Sequence, residues 1–365
     1  MVMFYRGKMS NSLFILLIVC CSSAFADELE PTIGFEPTLT RQDLLEAGEK
    51  GDWKFHDDLI DKLYETFKRH QNPDFRLEKL TKHHFKVIWP EFEVLVKLDL
   101  GVVELNTPGL TEAGWKKHYK KMDVIFKIAS SINLRPHYFQ GEGHASIEFQ
   151  SGFRSSQKFL AKFVADYANH RELLLGILGR SNETTSSHPM DHPEKWQKLS
   201  NILTSIQTGA LKFTDFSHVN LARLSLAKTG FISLLSLIRD KVKEPFERVE
   251  LRGLRPQRNG KEMYLIAKLL TRRIRFLDRH NGIITLKRHT FTSYTHFIAS
   301  FYTYLKESKL HKYFRDFRRL MEQSLQYVKL DKELAKEYEI HHNETHLQTG
   351  GCDRNQTGVS SAMMN

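Results

Sequence analysis

Four stretches of this chain alternate apolar with polar residues, and each carries at least one acid. They are Ile33-Gly34-Phe35-Glu36, Val102-Val103-Glu104-Leu105-Asn106, His144-Ala145-Ser146-Ile147-Glu148 and Val249-Glu250-Leu251-Arg252. Successive side chains of a strand point to opposite faces. As strands, these stretches put Glu36, then Glu104 with Asn106, then His144 with Glu148, then Glu250 with Arg252 on polar faces. Their partners Ile33, Phe35, Val103, Leu105, Ile147, Val249 and Leu251 line the opposite faces. A sheet of such strands buries one face and keeps the other for charged groups.

The rest of the chain supplies helices to cover the apolar face. Trp53 to Arg69 carries Phe55, Leu59, Leu63, Tyr64 and Phe67 at near-helical spacing. Thr111 to Ile132 is amphipathic, with Trp115, Met122, Ile125, Phe126 and Ala129 on one side. Further helices are expected over Ser155–Leu178, Trp196–Thr208, Glu262–His280, Phe291–Lys306 and Tyr313–Tyr338. Phe85 to Val96 reads as strand material around Trp89-Pro90, and Pro108-Gly109 closes the Glu104 strand in a turn. Pro37 argues that the first strand is an edge strand or a strand end. Residues 180–194 read as a loop, and Phe213 to Ala222 as an irregular segment that can serve as a lid.

With 365 residues, 41% hydrophobic and 27% charged, the chain is long and apolar enough for a large core. Its formal charge is +11, but the basic residues are scattered with no uninterrupted run. That pattern suits a basic solvated surface and an anionic small molecule, and no nucleic-acid partner is expected. Cys20, Cys21 and Cys352 are the only cysteines, which leaves no disulfide framework or Cys metal site for the body of the chain.

The N-terminus has the layout of a secretory signal: Arg6 and Lys8, an apolar run Leu13–Cys21, then Ala24-Phe25-Ala26 before Asp27. The expected division is a signal peptide over 1–26, a catalytic domain over 27–310, a C-terminal helix over 311–340 and a disordered tail over 341–365. Removing Arg6 and Lys8 lowers the charge from +11 to +9. The apolar run is too short to span a bilayer, so no integral membrane segment is expected after cleavage. The mature protein is expected to be exported, either periplasmic or secreted. Oligomeric state is not legible.

Three glutamates and a histidine on one sheet face would offer carboxylate oxygens and an imidazole, a donor set suited to Mg²⁺ or Mn²⁺. Taken alone, Glu250 and Arg252 also read as a surface ion pair. Their alternative use is a metal-holding carboxylate beside a guanidinium that can grip a phosphate or carboxylate.

In this order, Ile33-Gly34-Phe35-Glu36, Asp99-Leu100-Gly101-Val102-Val103-Glu104-Leu105-Asn106-Thr107-Pro108, Gly141-Glu142-Gly143-His144 and Val249-Glu250-Leu251-Arg252 resemble the carboxylate–amine ligases of the glutamine synthetase fold. That superfamily includes the glutamate–cysteine ligase type and predicted amidoligases. The resemblance implies an α+β fold, with a curved, mainly antiparallel sheet of glutamine synthetase-like catalytic type and flanking helices. It implies a ligase that uses ATP and Mg²⁺ (or Mn²⁺) to join a small-molecule or peptide carboxylate to an amine through an acyl phosphate. Glu36, Glu104, His144 and Glu250 would hold metal, with His144 near the β-phosphate and Arg252 on the transferred phosphoryl group. Asn106 and Glu148 would orient substrate. Thr38 stands where the family commonly has a second acid, and Ser146 where it often has a second histidine.

Export and ATP use pull in opposite directions, because ATP is scarce outside the cytoplasm. Two alternatives fit an exported chain. One is a metal-dependent amide hydrolase that acts on extracellular or envelope peptides without ATP. The other is a binding protein of the same fold that has lost turnover, in keeping with Thr38 and Ser146.

Overall fold

The computed structural model describes residues 30–70, 74–99, 101–136, 143–148, 157–170, 193–224, 226, 232–234, 248–287 and 294–322. The signal-like segment 1–26, the loop at 180–192, most of the C-terminal helix beyond 322 and the tail 341–365 lie outside them.

The described strands are β1 (Thr32–Thr40), β2 (Arg76–Lys79), β3 (His84–Trp89), β4 (Phe92–Asp99), β5 (Val102–Asn106), β6 (Arg135–Pro136), β7 (Gly143–Glu148), β8 (Ile232–Ser233) and β9 (Arg248–Leu254). They form one antiparallel sheet in the order β2-β3-β4-β5-β1-β7-β9-β8, with β6 paired to the end of β1. The sheet is not closed into a barrel, and with its helices the fold is α+β.

The longer helices are α1 (Gln42–Lys50), α2 (Trp53–Arg69), α3 (Glu112–Ser130), α4 (Gln157–Asn169), α5 (Pro193–Thr208), α6 (His218–Arg223), α7 (Gly260–Arg279) and α8 (Tyr294–Glu307). Side chains cap several of their starts. Asp52 accepts from Phe55 N at 3.0 Å, Thr111 from Gly114 N at 3.1 Å and Asn259 from Glu262 N at 2.9 Å, each satisfying a backbone donor the helix cannot.

The alternation read from sequence divides the sheet. Ile33, Phe35, Leu39, Val103, Leu105, Ile147, Val249 and Leu251 are buried in the core. Helices cover this apolar face. The Trp115 indole of α3 stacks edge-on against Phe35 at 5.0 Å, and its N–H donates to Ile33 O at 2.6 Å. At the β3 end, Phe67 and Tyr64 of α2 meet Phe85 at 5.6 and 5.3 Å. α7 lies along α3, where Gly260 donates to Asp123 Oδ1 at 2.7 Å and a side chain at Gly260 would collide with the Tyr119 carbonyl. The opposite face carries the charged residues.

Three sequence expectations change. β1 is an interior strand between β5 and β7, not an edge. Phe35 exchanges bonds with Thr107 on the β5 side, so by alternation Pro37 withholds one donor from that same side. The β1 ladder to β7 nonetheless runs from Thr32 through Pro37, enough pairing to keep the strand central. Phe85–Val96 is two strands of a hairpin, because Pro90-Glu91 turn the chain between Trp89 and Phe92. Residues 213–222 are no open lid: Phe213–Asp215 is a 3-10 turn, α6 follows, and Phe213 and Leu221 are fully buried.

The Candidate Metal Centre

The site forms where β1, β7 and β9 lie side by side. Glu36 of β1 sits directly opposite His144 of β7. On the other side of β7, Ser146 faces Glu250 of β9, and the register slips between Gly143 and Ala145. The extra residue is on β9, where Arg252 and Gly253 together oppose His144, and bulges commonly re-aim a side chain. His144 Nδ1 lies 3.1 Å from Glu250 Oε1 and 3.5 Å from Glu36 Oε2.

One ligand atom from each of Glu36, His144 and Glu250 lies within 4.8 Å of the others. Ligands of a Mg²⁺-sized ion at about 2.1 Å would sit about 3 Å apart when cis, so a modest contraction closes the set. All three side chains are largely shielded, with 15% exposure for His144, 18% for Glu250 and 25% for Glu36. Two carboxylates and an imidazole suit Mg²⁺ or Mn²⁺, whose remaining positions would go to water or an anionic ligand. Two orphaned polar atoms border the cluster. Ser146 Oγ and Asn106 Oδ1 are buried without a hydrogen-bond partner among the described residues. Unmet polar atoms of this kind point to a missing ion, water or ligand.

Cations surround the acids. Arg252, on the same face of β9, pairs directly with Glu250. Glu104 of β5 lies opposite Thr38 on one side and Lys97 on the other, and Lys97 Nζ binds its Oε2 at 3.0 Å. Burial works to raise the Glu36 carboxyl. The hydrogen bond to His144 and the charges of His144, Arg248 and Lys97 overcome it, holding the group below the usual carboxylate value. At Glu104 burial wins over Lys97, and the carboxyl is pushed up. Lys97 is driven down by burial but held above its ordinary value by the Glu104 hydrogen bond and nearby acids.

The structure thus gathers Glu36, His144, Glu250 and Arg252. Glu104 and Asn106 stand on the next strand over. Continuing the β1–β5 register by two residues from the Thr38–Glu104 pair puts Asn106 opposite Glu36. Glu148 shares the polar face but lies four residues along β7 from His144, about 13 Å at strand rise. It sits opposite Thr32 and Arg248. Lys97 and Arg248 were not singled out from sequence. Arg248 had a readable signal, since it precedes Glu250 by two and shares its face. Lys97 had none until β4 was placed beside β5.

No family model and no curated protein matches the chain. Among solved structures, it is similar to one described as a novel glutamine synthase homolog, at 10% identity and TM-score 0.41, over 90% of this chain and 74% of that one. It is also similar to apo GmaS, at 10% identity and TM-score 0.40, over 84% and 72%. A third likeness is to Plasmodium falciparum glutamine synthetase, at 12% identity and TM-score 0.35, over 89% and 76%.

Proposed function

We propose that this chain is an ATP- and Mg²⁺-dependent carboxylate–amine ligase of glutamine synthetase-like type, working on the polar face of the sheet. The supporting observation is the convergence of Glu36, His144 and Glu250 from three separate stretches onto one ion-sized position. Sequence order alone could not produce it.

In this reading Glu36, His144 and Glu250 hold one divalent ion. Bound Mg²⁺–ATP supplies the phosphoryl group that makes a substrate carboxylate reactive toward an amine, its charge shared with the metal. The chain's own groups do the rest. Arg252, now engaged by Glu250, presents a planar fork of N–H donors suited to the oxygens of a phosphoryl group or an acyl phosphate. Ser146 Oγ and Asn106 Oδ1 have unmet hydrogen-bonding capacity beside the ion position and are placed to orient a polar substrate. Glu148, farther along β7, would contact only an extended one.

The test is nucleotide binding and turnover. Purified protein is expected to bind Mg²⁺–ATP and to release phosphate only when a carboxylate and an amine are both present, and Glu250→Ala should abolish this. If Mg²⁺–ATP does not bind and Glu250→Ala changes no activity, the ligase reading is overturned. The signal-like segment ending at Ala26 supports a second reading: an exported amide hydrolase using the same ion without ATP. Cleavage of peptide amides in the absence of nucleotide would favour that one. Export itself is checked by finding whether the mature chain begins at Asp27.

A further inference from the structure

Across three neighbouring strands, Thr38, Glu104 and Lys97 form one row. Glu104 is the direct partner of Thr38 on β1 and of Lys97 on β4. The row lies immediately beside the ion position, since Thr38 is two residues from Glu36 on the same face of the same strand. It holds one carboxylate, and that carboxylate already has a cation: Lys97 Nζ sits 3.0 Å from Glu104 Oε2. A second divalent ion on this side would find only Glu104 as an anionic side chain and would have to displace a bound ammonium. The residue that could supply the second ligand is a threonine, 7% exposed and uncharged.

We propose that Lys97 is a built-in counter-charge occupying the place of a second divalent ion, so that the face binds one ion only, at Glu36, His144 and Glu250. The proposal rests on the metal-site reading above. An ammonium on a strand differs from an ion in what it can do. It offers a single charge and three hydrogen-bond donors, does not exchange with solution, and binds no water as a ligand. Its position is set by Glu104, which makes Glu104 a positioning residue rather than a metal ligand. Metal dependence should accordingly be first order, with no second, weaker ion required.

Mn²⁺ binding, followed by electron paramagnetic resonance and calorimetry on the full chain without nucleotide, separates the cases. Wild type is expected to bind one Mn²⁺, with no spin coupling between ions, and Glu104→Gln should keep that one. Lys97→Met should tighten the first ion by roughly tenfold, because a positive neighbour is removed. Thr38→Asp combined with Lys97→Met should admit a second Mn²⁺ and a coupled spectrum. Lys97→Arg, which keeps the charge, should behave as wild type and controls for folding. Two ions in wild type, one of them lost in Glu104→Gln, overturn the proposal while leaving the metal site standing. So does Lys97→Met with unchanged affinity. No Mn²⁺ bound by wild type would instead overturn the metal-site reading beneath it.

Discussion

His144 and Glu250 meet across the β7–β9 pair with Nδ1 3.1 Å from Oε1, at the point where the ladder between their strands slips register. The extra residue of the bulge is on β9, where Arg252 and Gly253 together oppose His144, and His144 stays opposite Glu36 on β1. A single imidazole is thereby held between two carboxylates that are far apart in the chain. Removing either acid should be felt by an ion before it is felt by the fold. Glu250→Gln and Glu36→Gln are expected to weaken Mn²⁺ binding by roughly a hundredfold. Calorimetric titration checks it, and unchanged Mn²⁺ affinity in both variants would remove the metal from the site.

Arg252 links metal and anion in a way that can be separated experimentally. Its guanidinium neutralises Glu250, so it competes with any cation Glu250 is asked to hold. Arg252→Gln should bind Mn²⁺ about tenfold more tightly and Mg²⁺–ATP about tenfold more weakly. Arg252→Lys keeps the charge but loses the fork, and should restore the metal affinity without restoring the nucleotide affinity. Two variants moving together in both titrations would contradict this division of labour.

The acids of the site should pull acid stability in opposite directions. Glu36 is held below the ordinary glutamate value, burial being outweighed by His144, Arg248 and Lys97. A depressed folded pKa stabilises the fold fully above the unfolded value, and this is lost as pH falls through the folded one. Glu104 is shifted above the ordinary value, chiefly by burial. Between the unfolded and folded values the native state then binds more protons, so stability falls as pH rises through that window. In metal-free protein, Glu36→Gln should flatten the loss of stability below about pH 4.5, and Glu104→Gln the change above it. Melting temperature against pH, from about pH 3 to about pH 7, gives both slopes. A Glu36→Gln profile parallel to wild type would disprove the first.

Away from the site, Arg273 of α7 is buried with Asp166 of α4. Both are 5% exposed, and Arg273 Nε is 2.8 Å from Asp166 Oδ2. Glu307 of α8 takes a third contact at 2.7 Å, and the guanidinium lies over Tyr304 at 4.2 Å. Three helices are joined through one side chain. Asp166→Ala leaves a buried cation short of its main partner and should cost about 3–5 kcal/mol, read by denaturant unfolding. A loss under about 1 kcal/mol would mean that water or Glu307 replaces Asp166.

What could be read from the residues was what the strand period dictates. Glu36, Glu104, His144 and Glu250 were legible as members of one polar face because alternation is a property of the backbone. Their convergence depends on strand order, which the chain does not state locally. Glu148 was expected to orient substrate, and strand rise takes it about 13 Å from His144. Lys97 stayed invisible because its partner is Glu104 on another strand. Pro37 misled because its missing donor is only one bond in a long ladder. β2 and α1 went unseen for another reason. Arg76–Lys79 is a mostly exposed charged edge strand, and Gln42–Lys50 buries little more than Leu44 and Ala47.

Gly143 ties the bulge to the segment after β9. A Cβ there would come within 2.5 Å of the Arg255 carbonyl oxygen and 2.7 Å of Gln257 Nε2. Neither neighbour can easily retreat. The Arg255 carbonyl accepts from Gln257 Nε2 at 2.9 Å, and the Arg255 guanidinium pairs with Glu262, their side chains 3% and 2% exposed. Gly143→Ala must therefore push β7 away from the residues that follow β9. The expected cost is about 2 kcal/mol of stability, with Mn²⁺ affinity lower by about tenfold because His144 is the next residue. Gly51→Ala is the control: Gly51 has φ of +65°, and a Cβ added there would meet nothing within 4 Å. It should cost about 1 kcal/mol for the left-handed backbone and leave Mn²⁺ binding unchanged. Equal Mn²⁺ affinities for Gly143→Ala and wild type would show that the close approach at Gly143 does not set the position of His144.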